Sequence, residues 1–164
     1  MIRGIHHISL STGDMERLLG FYRDLLGLEL LLDTQIADNP AFDHVVGLEG
    51  ARARGVFLQA GNAYIEIWHF KAPVGKGPIG DRPVNDAGLT HICFDIEDIE
   101  ATHRALAAAG VVFVSPPQHL GSVITCYARD PDGNLVELRQ GIAGKSAIEM
   151  ATDVLAASQA ILAR

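Results

Sequence analysis

The sequence predicts an α+β protein built from two tandem modules, each with the order strand, helix and three strands (βαβββ). The main observation is a repeat: an apolar alternation typical of a strand, followed by a capped amphipathic helix, occurs at "HISLSTGDMER" from residue 7 and at "HICFDIEDIEA" from residue 91. A second observation is length, because 164 residues suffice for one ordinary domain or two small modules. We therefore expect the two modules to form halves of one cup-shaped mixed sheet, followed by a C-terminal helix.

The first module is predicted to span residues 1–70. Its first strand covers residues 5–12, Asp14 can cap the helix that follows, and Gly27 ends it. Three strands follow, and Gly61-Asn62 fits a two-residue turn between the last two. Residues 36–54 read as one long irregular stretch, which we expect to act as a lid or binding loop. The helix presents one apolar stripe: Met15, Leu18, Leu19, Tyr22, Leu25 and Leu26.

The second module is predicted to span residues 89–142. It repeats the first element by element: Asp98 can cap its helix, Gly110 ends it, and Asp130-Pro131-Asp132-Gly133 fits a turn before the last strand. Residues 71–88 contain three prolines and four glycines, which is typical of a linker. Residues 143–164 start with a capping box formed by Ser146 and Glu149 and predict an amphipathic helix, placed on the outer side of the sheet or at a dimer contact.

Composition excludes several classes of function. The net charge of −7, without a basic stripe, argues against a nucleic-acid partner. We expect no membrane association, because no apolar run approaches about 18 residues. The first apolar run is too short for a secretory signal, which predicts a cytoplasmic protein. The two cysteines are too few for a disulfide framework.

Strand alternation brings four chemically active side chains to the polar faces of four strands. Successive strand residues point to opposite faces, so His7 and His91 on the opening strands, and Glu66 and Glu137 on the closing strands, lie opposite the apolar residues that flank them. A carboxylate among apolar neighbours is unfavourable unless its charge is compensated, and a divalent cation would compensate two at once. The pattern predicts a metal site with two histidine and two glutamate ligands. The neighbouring His6 is expected on the opposite face.

Residues 4–140 resemble the vicinal oxygen chelate superfamily, which includes glyoxalase I, methylmalonyl-CoA epimerase, fosfomycin-resistance enzymes and extradiol ring-cleaving dioxygenases. The resemblance rests on "HHISLSTGDMERLLGFYRDLLGLEL", "YIEI", "THICFDIEDIEATHRALAAAGV" and "DPDGNLVEL". It implies the vicinal oxygen chelate fold and metal ligands at His7, Glu66, His91 and Glu137, the four positions that strand alternation also selects.

The resemblance implies a metal-dependent lyase or isomerase that moves a proton next to a carbonyl. One divalent transition metal, Ni, Co, Mn, Fe or Zn, would stabilise an enediolate or enolate formed from a small substrate with two neighbouring oxygens. By similarity to glyoxalase I, Glu137 is the first candidate for the general base and Glu66 the second. Four further residues are expected to shape the substrate pocket: His44, Tyr64, Trp68 and Tyr127.

Other members of the superfamily supply the alternatives. In the ring-cleaving dioxygenases of the superfamily, the expected ligand set is two histidines and one glutamate around Fe(II), and the fosfomycin-type transferases have a similar set. The additional Glu66 therefore favours proton transfer over both reactions. A metal-free protein that sequesters a small ligand is a further alternative. We expect a homodimer, and the sequence leaves open whether the site closes within one chain or between two.

Overall fold

The structure, a computed structural model, describes residues 1–78, 80–142 and 145–149. The chain divides into two compact units, Met1–Gly80 and Asp81–Arg164. Each unit contains one mixed sheet and at least one helix, which confirms the predicted α+β class. The boundaries predicted for the modules, the linker and the tail remain predictions.

The first unit has four strands, β1 (His7–Ser11), β2 (Glu29–Ile36), β3 (Arg52–Ala60) and β4 (Ala63–Ala72). They form one sheet in the order β1-β4-β3-β2. β1 runs parallel to β4, and the other neighbours are antiparallel. The opening and closing strands of the module therefore lie side by side, although they are far apart in the sequence. A register shift between Leu30 and Leu32 interrupts the pairing of β2 with β3.

The first helix starts as predicted and then changes its winding. Asp14 caps α1 (Met15–Leu19) by accepting a hydrogen bond from the Arg17 backbone N–H. The helix continues as a π-helical segment, Gly20–Leu25, in which i to i+5 hydrogen bonds place more residues in each turn. As a result Phe21 is buried and Leu25 is 43% exposed, so the predicted place of Leu25 in the apolar stripe is wrong.

A second helix, α2 (Pro40–Val46), lies within the stretch that was expected to be irregular. The Asn39 side chain caps it by accepting from the N–H groups of Ala41 and Phe42. Pro40 occupies the first turn, and Gly47 ends the helix with a left-handed φ of 67°. These are standard start and stop signals, so the expectation of an irregular stretch throughout residues 36–54 is wrong.

The second unit repeats the arrangement of the first with one broken strand. Its strands are β5 (His91–Asp95), β6 (Val112–Phe113), β7 (Gln118–Leu120), β8 (Val123–Arg129) and β9 (Leu135–Gly141). The sheet has the order β5-β9-β8-β6, with β5 parallel to β9. β6 and β7 pair with opposite ends of β8, so together they take the place of one edge strand. Asp98 caps α3 (Ile99–Ala108) as predicted.

The predicted turns are present. Gly61 (φ 59°) and Asn62 join β3 to β4. The Asp130 carboxylate accepts from the backbone N–H groups of Asp132 and Asn134 and fixes the turn before β9. In the predicted linker, residues 71 and 72 belong to β4.

Of the predicted C-terminal helix, only the first residues lie within the described part of the chain. Ser146 and Glu149 form the predicted capping box, each side chain accepting from the other's backbone N–H. Asp95, at the end of β5, accepts from the N–H groups of Ala147 and Ile148. Residues 150–164, which the prediction also covers, lie outside the described residues. In the part of the chain that the structure describes, no helix is both long and apolar enough to cross a membrane.

Candidate functional site

In the first unit, His7 and Glu66 form a pair on one face of the sheet. In the parallel register of β1 and β4, His7 lies opposite Tyr64 and Ser9 lies opposite Glu66. The two side chains meet diagonally, with His7 Nε2 3.5 Å from Glu66 Oε2. The opposite face of β4 carries the buried Ile65 and Ile67, as alternation predicts.

In the second unit, His91 and Glu137 form the equivalent pair. His91 lies opposite Leu135 and Cys93 opposite Glu137, so the register of β5 and β9 is the same as that of β1 and β4. The distance from His91 Nε2 to Glu137 Oε2 is 3.0 Å. Each unit thus brings together one histidine and one glutamate of the four ligands that the sequence predicts, and the binding of one metal by all four remains a prediction.

Both histidines are held through their other ring nitrogen by the preceding residue. His91 Nδ1 lies 2.9 Å from Thr90 Oγ1, and His7 Nδ1 lies 2.8 Å from His6 Nδ1. In each case Nε2 is the nitrogen directed to the carboxylate, an orientation typical of ligating histidines. The expectation that His6 lies on the opposite face is wrong: it precedes β1, where alternation does not apply, and its ring lies 5.0 Å from that of Tyr64.

The carboxylate of Glu137 is buried and held on both oxygens. Glu137 is 5% exposed. The Thr125 hydroxyl donates to its Oε1 at 2.6 Å, and Arg139 Nη1 lies 3.6 Å from the same oxygen. The other oxygen faces His91. These contacts compensate for the removal of the carboxylate from water, and removing one partner of such a buried charge typically costs about 3–5 kcal/mol.

Glu66 occupies the equivalent position with different neighbours. By register, Phe57 and Gly55 on β3 take the positions that Tyr127 and Thr125 take on β8. Trp68 on β4 takes the position of Arg139 on β9. Among the described residues, the Glu66 carboxylate lies near the His7 ring and has no hydroxyl donor. The two carboxylates therefore differ in restraint although the backbone around them is equivalent.

An aromatic ring lies edge-on to each histidine. The Tyr127 ring is 5.1 Å from that of His91, and the Phe57 ring is 5.5 Å from that of His7. Tyr127 was among the predicted pocket residues, and Phe57 was missed. The turn at Gly61-Asn62 sets the register that places Phe57 opposite Glu66, so this signal was present in the sequence.

The other predicted pocket residues lie at three places in the first unit. Tyr64 stands beside His6. The Trp68 ring packs against Phe42 of α2, with ring centroids 5.2 Å apart. His44 lies on α2 and lines an open cavity of about 330 Å³ between α2 and the residues after it, together with Pro40, Asp43, Gly47, Leu48 and Glu49. Their role in binding a substrate remains a prediction.

The Cys93 and Cys126 thiols and the Tyr127 hydroxyl all have a raised pKa. Desolvation, followed by the charge of Glu137, raises the pKa of the Cys93 thiol to about 12 and also raises the pKa of the Tyr127 hydroxyl. Desolvation raises the pKa of Cys126 to about 11. Both cysteines are free thiols. A protonated thiol is a weak nucleophile, so the chemistry of this face falls to the imidazole and carboxylate groups.

The donor atoms fit a divalent transition metal. Two donors that are each about 2.1 Å from one ion lie about 3.0 Å apart at a right angle and about 3.4 Å apart at a tetrahedral angle. The observed separations of 3.0 and 3.5 Å match these values. Imidazole nitrogen with carboxylate oxygen is a donor set that first-row dications accept. Within the described residues, no three His, Cys, Asp or Glu side chains form a metal-binding group, so each unit by itself supplies a pair.

A family model and two curated relatives match most of the chain. A family model described as the Glyoxalase/Bleomycin resistance protein/Dioxygenase superfamily matches residues 4–138. The chain is 34% identical to an ethylmalonyl-CoA/methylmalonyl-CoA epimerase from Cereibacter sphaeroides, over 85% of this chain and 99% of the relative. It is 28% identical to a lactoylglutathione lyase from Haemophilus influenzae, over 88% and 97% of the two chains.

Solved structures share the fold. A glyoxalase family protein from Bacillus cereus superposes with a TM-score of 0.78 at 23% identity, covering 87% of this chain and 97% of the other. A fosfomycin resistance protein from Listeria monocytogenes, in complex with Mn(II) and sulfate, superposes with a TM-score of 0.60 at 20% identity, covering 87% and 96%. At these identities the similarity shows the fold alone, and it confirms the predicted vicinal oxygen chelate architecture.

Proposed function

Because this chain belongs to the glyoxalase/bleomycin resistance protein/dioxygenase superfamily, we propose that it is a divalent-metal-dependent lyase or isomerase that transfers a proton next to a carbonyl group. The observation that carries the proposal is the repeated pair, in which His7 and His91 each direct Nε2 to a glutamate oxygen across equivalent strand registers. A sequestering protein that needs no metal would have no use for this arrangement in both units.

The proposed metal ligands are His7, Glu66, His91 and Glu137. We propose, as the resemblance implies, that the four side chains bind one metal ion, and we leave open whether they do so within one chain or between two. A bound dication, one of Ni, Co, Mn, Fe or Zn, would supply positive charge to two neighbouring substrate oxygens and so stabilise the negative charge that develops on them when the adjacent carbon loses its proton.

The carboxylates and the aromatic side chains supply the remaining functions. Glu137 and Glu66 are the two groups able to accept a proton from the substrate carbon and return it. Tyr127 keeps its proton at neutral pH, as its raised pKa indicates, and can donate a hydrogen bond to a substrate oxygen. We propose that Tyr64, Trp68 and His44 contact the rest of the substrate, with α2 in the place of the expected loop.

Two relatives, an epimerase and a lyase, support the reaction class. The Mn(II) complex of the fosfomycin resistance protein supports the use of a metal. Ring cleavage needs a site with two histidines and one glutamate, so the additional glutamate at position 66 favours proton transfer. We propose that the substrate is a small molecule with vicinal oxygens, and that the protein acts in the cytoplasm as a homodimer.

The test has two steps. Metal analysis of the purified protein is expected to find about one divalent transition metal for each site. The metal-loaded protein is then incubated in deuterated water with candidate ketones and acyl-thioesters, and separately with catechols in an oxygen electrode. Deuterium incorporation at the carbon next to the carbonyl, without oxygen uptake, is the expected result. Oxygen uptake on catechols would replace the proposal with a dioxygenase, and absence of stoichiometric metal would favour a sequestering protein.

A further inference from the structure

The first unit places an aromatic surface beside its own histidine–glutamate pair. The side chains of Phe57 and Trp68 form this aromatic surface. Phe57 lies opposite Glu66 in the register of β3 and β4, and its ring centroid is 5.5 Å from that of His7. Trp68 follows Glu66 by two residues on β4, so it points to the same face, about 6.8 Å further along the strand. A small molecule bound by His7 and Glu66 would therefore lie within reach of both rings.

The Trp68 ring is held in one position against the sheet. It lies over Gly55 of the neighbouring strand, where a Cβ atom would be 2.5 Å from the ring. Glycine weakens the interior of a strand and often marks a place where another group approaches closely. Phe42 of α2 and Phe70 also contact the ring, with centroid distances of 5.2 and 6.0 Å. The orientation of the ring is thus fixed before any ligand binds, which reduces the entropy lost on binding.

The aromatic surface is not part of the buried core of this unit. The core lies on the opposite face of β3 and β4, where four residues are each at most 2% exposed: Val56, Leu58, Ile65 and Ile67. Phe57 and Trp68 are only partly buried. Every residue of α2, which contacts Trp68 through Phe42, is also at least partly exposed. The two rings therefore keep apolar area that a ligand can cover.

The residues around the aromatic surface are uncharged. The partners of Glu66 and Trp68 on the two neighbouring strands are Ser9, Ser11, Gly55 and Phe57. In the second unit, the positions equivalent to Gly55 and Trp68 carry a hydroxyl and a guanidinium, at Thr125 and Arg139. A charged group placed on the aromatic surface would lose water without gaining a partner, which is unfavourable. The surface therefore selects an uncharged group.

We propose that the aromatic surface recognises an uncharged aromatic ring attached to the vicinal oxygens of the substrate, and that Trp68 determines this specificity. The inference rests on the proposed function, because the oxygens have to be bound beside the aromatic surface, and it narrows the substrate class to aryl-substituted carbonyl compounds. Aromatic rings pack edge-to-face or offset with centroids about 4.5–7 Å apart, which favours a planar ring over an aliphatic group of the same size.

The first experiment compares three hydroxamates that present the same two neighbouring oxygens to a metal and differ only in the substituent. Isothermal titration calorimetry of the Zn²⁺-loaded protein gives the affinities for benzohydroxamate, cyclohexanecarbohydroxamate and acetohydroxamate. Benzohydroxamate is expected to bind about 10- to 100-fold more tightly than acetohydroxamate, because its ring is removed from water. It should also bind at least about twofold more tightly than the cyclohexane compound.

The outcomes separate this proposal from the proposed function. Equal affinity for benzohydroxamate and acetohydroxamate would overturn the aromatic specificity and leave the metal-dependent function intact. A cyclohexane compound that binds as tightly as benzohydroxamate would overturn the preference for a planar ring. A protein that binds no Zn²⁺ would overturn both proposals.

The second experiment locates the bound ring. Trp68 is the single tryptophan of the sequence, so benzohydroxamate at saturation should change its fluorescence and acetohydroxamate should not. Trp68→Leu is expected to weaken benzohydroxamate binding at least about tenfold and to leave the affinity for acetohydroxamate within about threefold. Phe113→Leu, which alters an aromatic residue that packs against His103 of α3, is the control and should bind both compounds as the wild type does. Unchanged emission when benzohydroxamate saturates the wild type would refute the role of Trp68 without any variant, and so would undiminished benzohydroxamate affinity in Trp68→Leu.

Discussion

Gly55→Ala is expected to destabilise the protein because a tryptophan ring occupies the space where the new methyl group would stand. A Cβ atom at residue 55 would lie 2.5, 2.6 and 2.9 Å from three carbon atoms of the Trp68 ring, so the ring has to move by about 1 Å to reach ordinary contact. It cannot move freely, because Phe42 and Phe70 pack against it at ring distances of 5.2 and 6.0 Å. Overpacking of this kind costs about 1–3 kcal/mol.

Thermal unfolding and fluorescence test this expectation directly. For a chain of this length, about 2 kcal/mol corresponds to a fall in Tm of about 4–8 °C. Trp68 is the single tryptophan of the sequence, so its emission reports the position of that ring and should change in the variant. Gly20→Ala is the control: its new methyl group meets open space on a helix, and it should be neutral or stabilising by up to about 1 kcal/mol. An unchanged Tm with unchanged emission in Gly55→Ala would refute the packing argument.

Four further predictions concern the site, the loop helix, acid stability and assembly. Glu137→Gln is expected to abolish turnover with the circular dichroism spectrum intact, and undiminished activity would remove this residue from the site. Asn39→Ala removes the cap of α2 and should lower the free energy of unfolding by about 1 kcal/mol, as measured by urea denaturation; no change would mean that the cap contributes nothing. Arg54 lowers the pKa of Asp33, so their ion pair stabilises the fold above about pH 4 and loses this effect as the pH falls through the lowered pKa. Asp33→Asn should therefore be about 0.5 kcal/mol less stable at pH 7, with a deficit that shrinks as the pH falls through the lowered pKa, and a deficit independent of pH would contradict this origin. Light scattering at micromolar concentration is expected to give the mass of a homodimer, and a strict monomer would reject it.

Strand alternation and capping were readable from the sequence because both are local. His7 and Glu66 could be assigned to one face before any pairing was known, since the apolar neighbours of each residue define the opposite face. Asp14 and Asp98 cap helices because their side chains reach backbone groups only three residues away. The signals for α2, in Asn39, Pro40 and Gly47, are equally local. The expectation of an irregular stretch over residues 36–54 did not take them into account.

The remaining features depend on contacts between distant residues. The π-helical segment that buries Phe21 and exposes Leu25 has no marker in the spacing of apolar residues, which fits an ordinary α-helix. Thr125 gains its importance from the register of β8 against β9, which brings it beside Glu137. Tertiary context also places His6 beside His7, where extrapolating the strand by one residue puts it on the wrong face.

The carboxylate of Asp95 links the C-terminal segment to the charges around Glu137. Asp95 is engaged by the N–H groups of Ala147 and Ile148, and it is also the register neighbour of Arg139 across β5 and β9. Detachment of that segment would leave the Asp95 carboxylate without its two donors, opposite Arg139, whose guanidinium lies 3.6 Å from Glu137. Shortening the chain near residue 146 would in this way alter the electrostatic field at the second histidine–glutamate pair without touching either member.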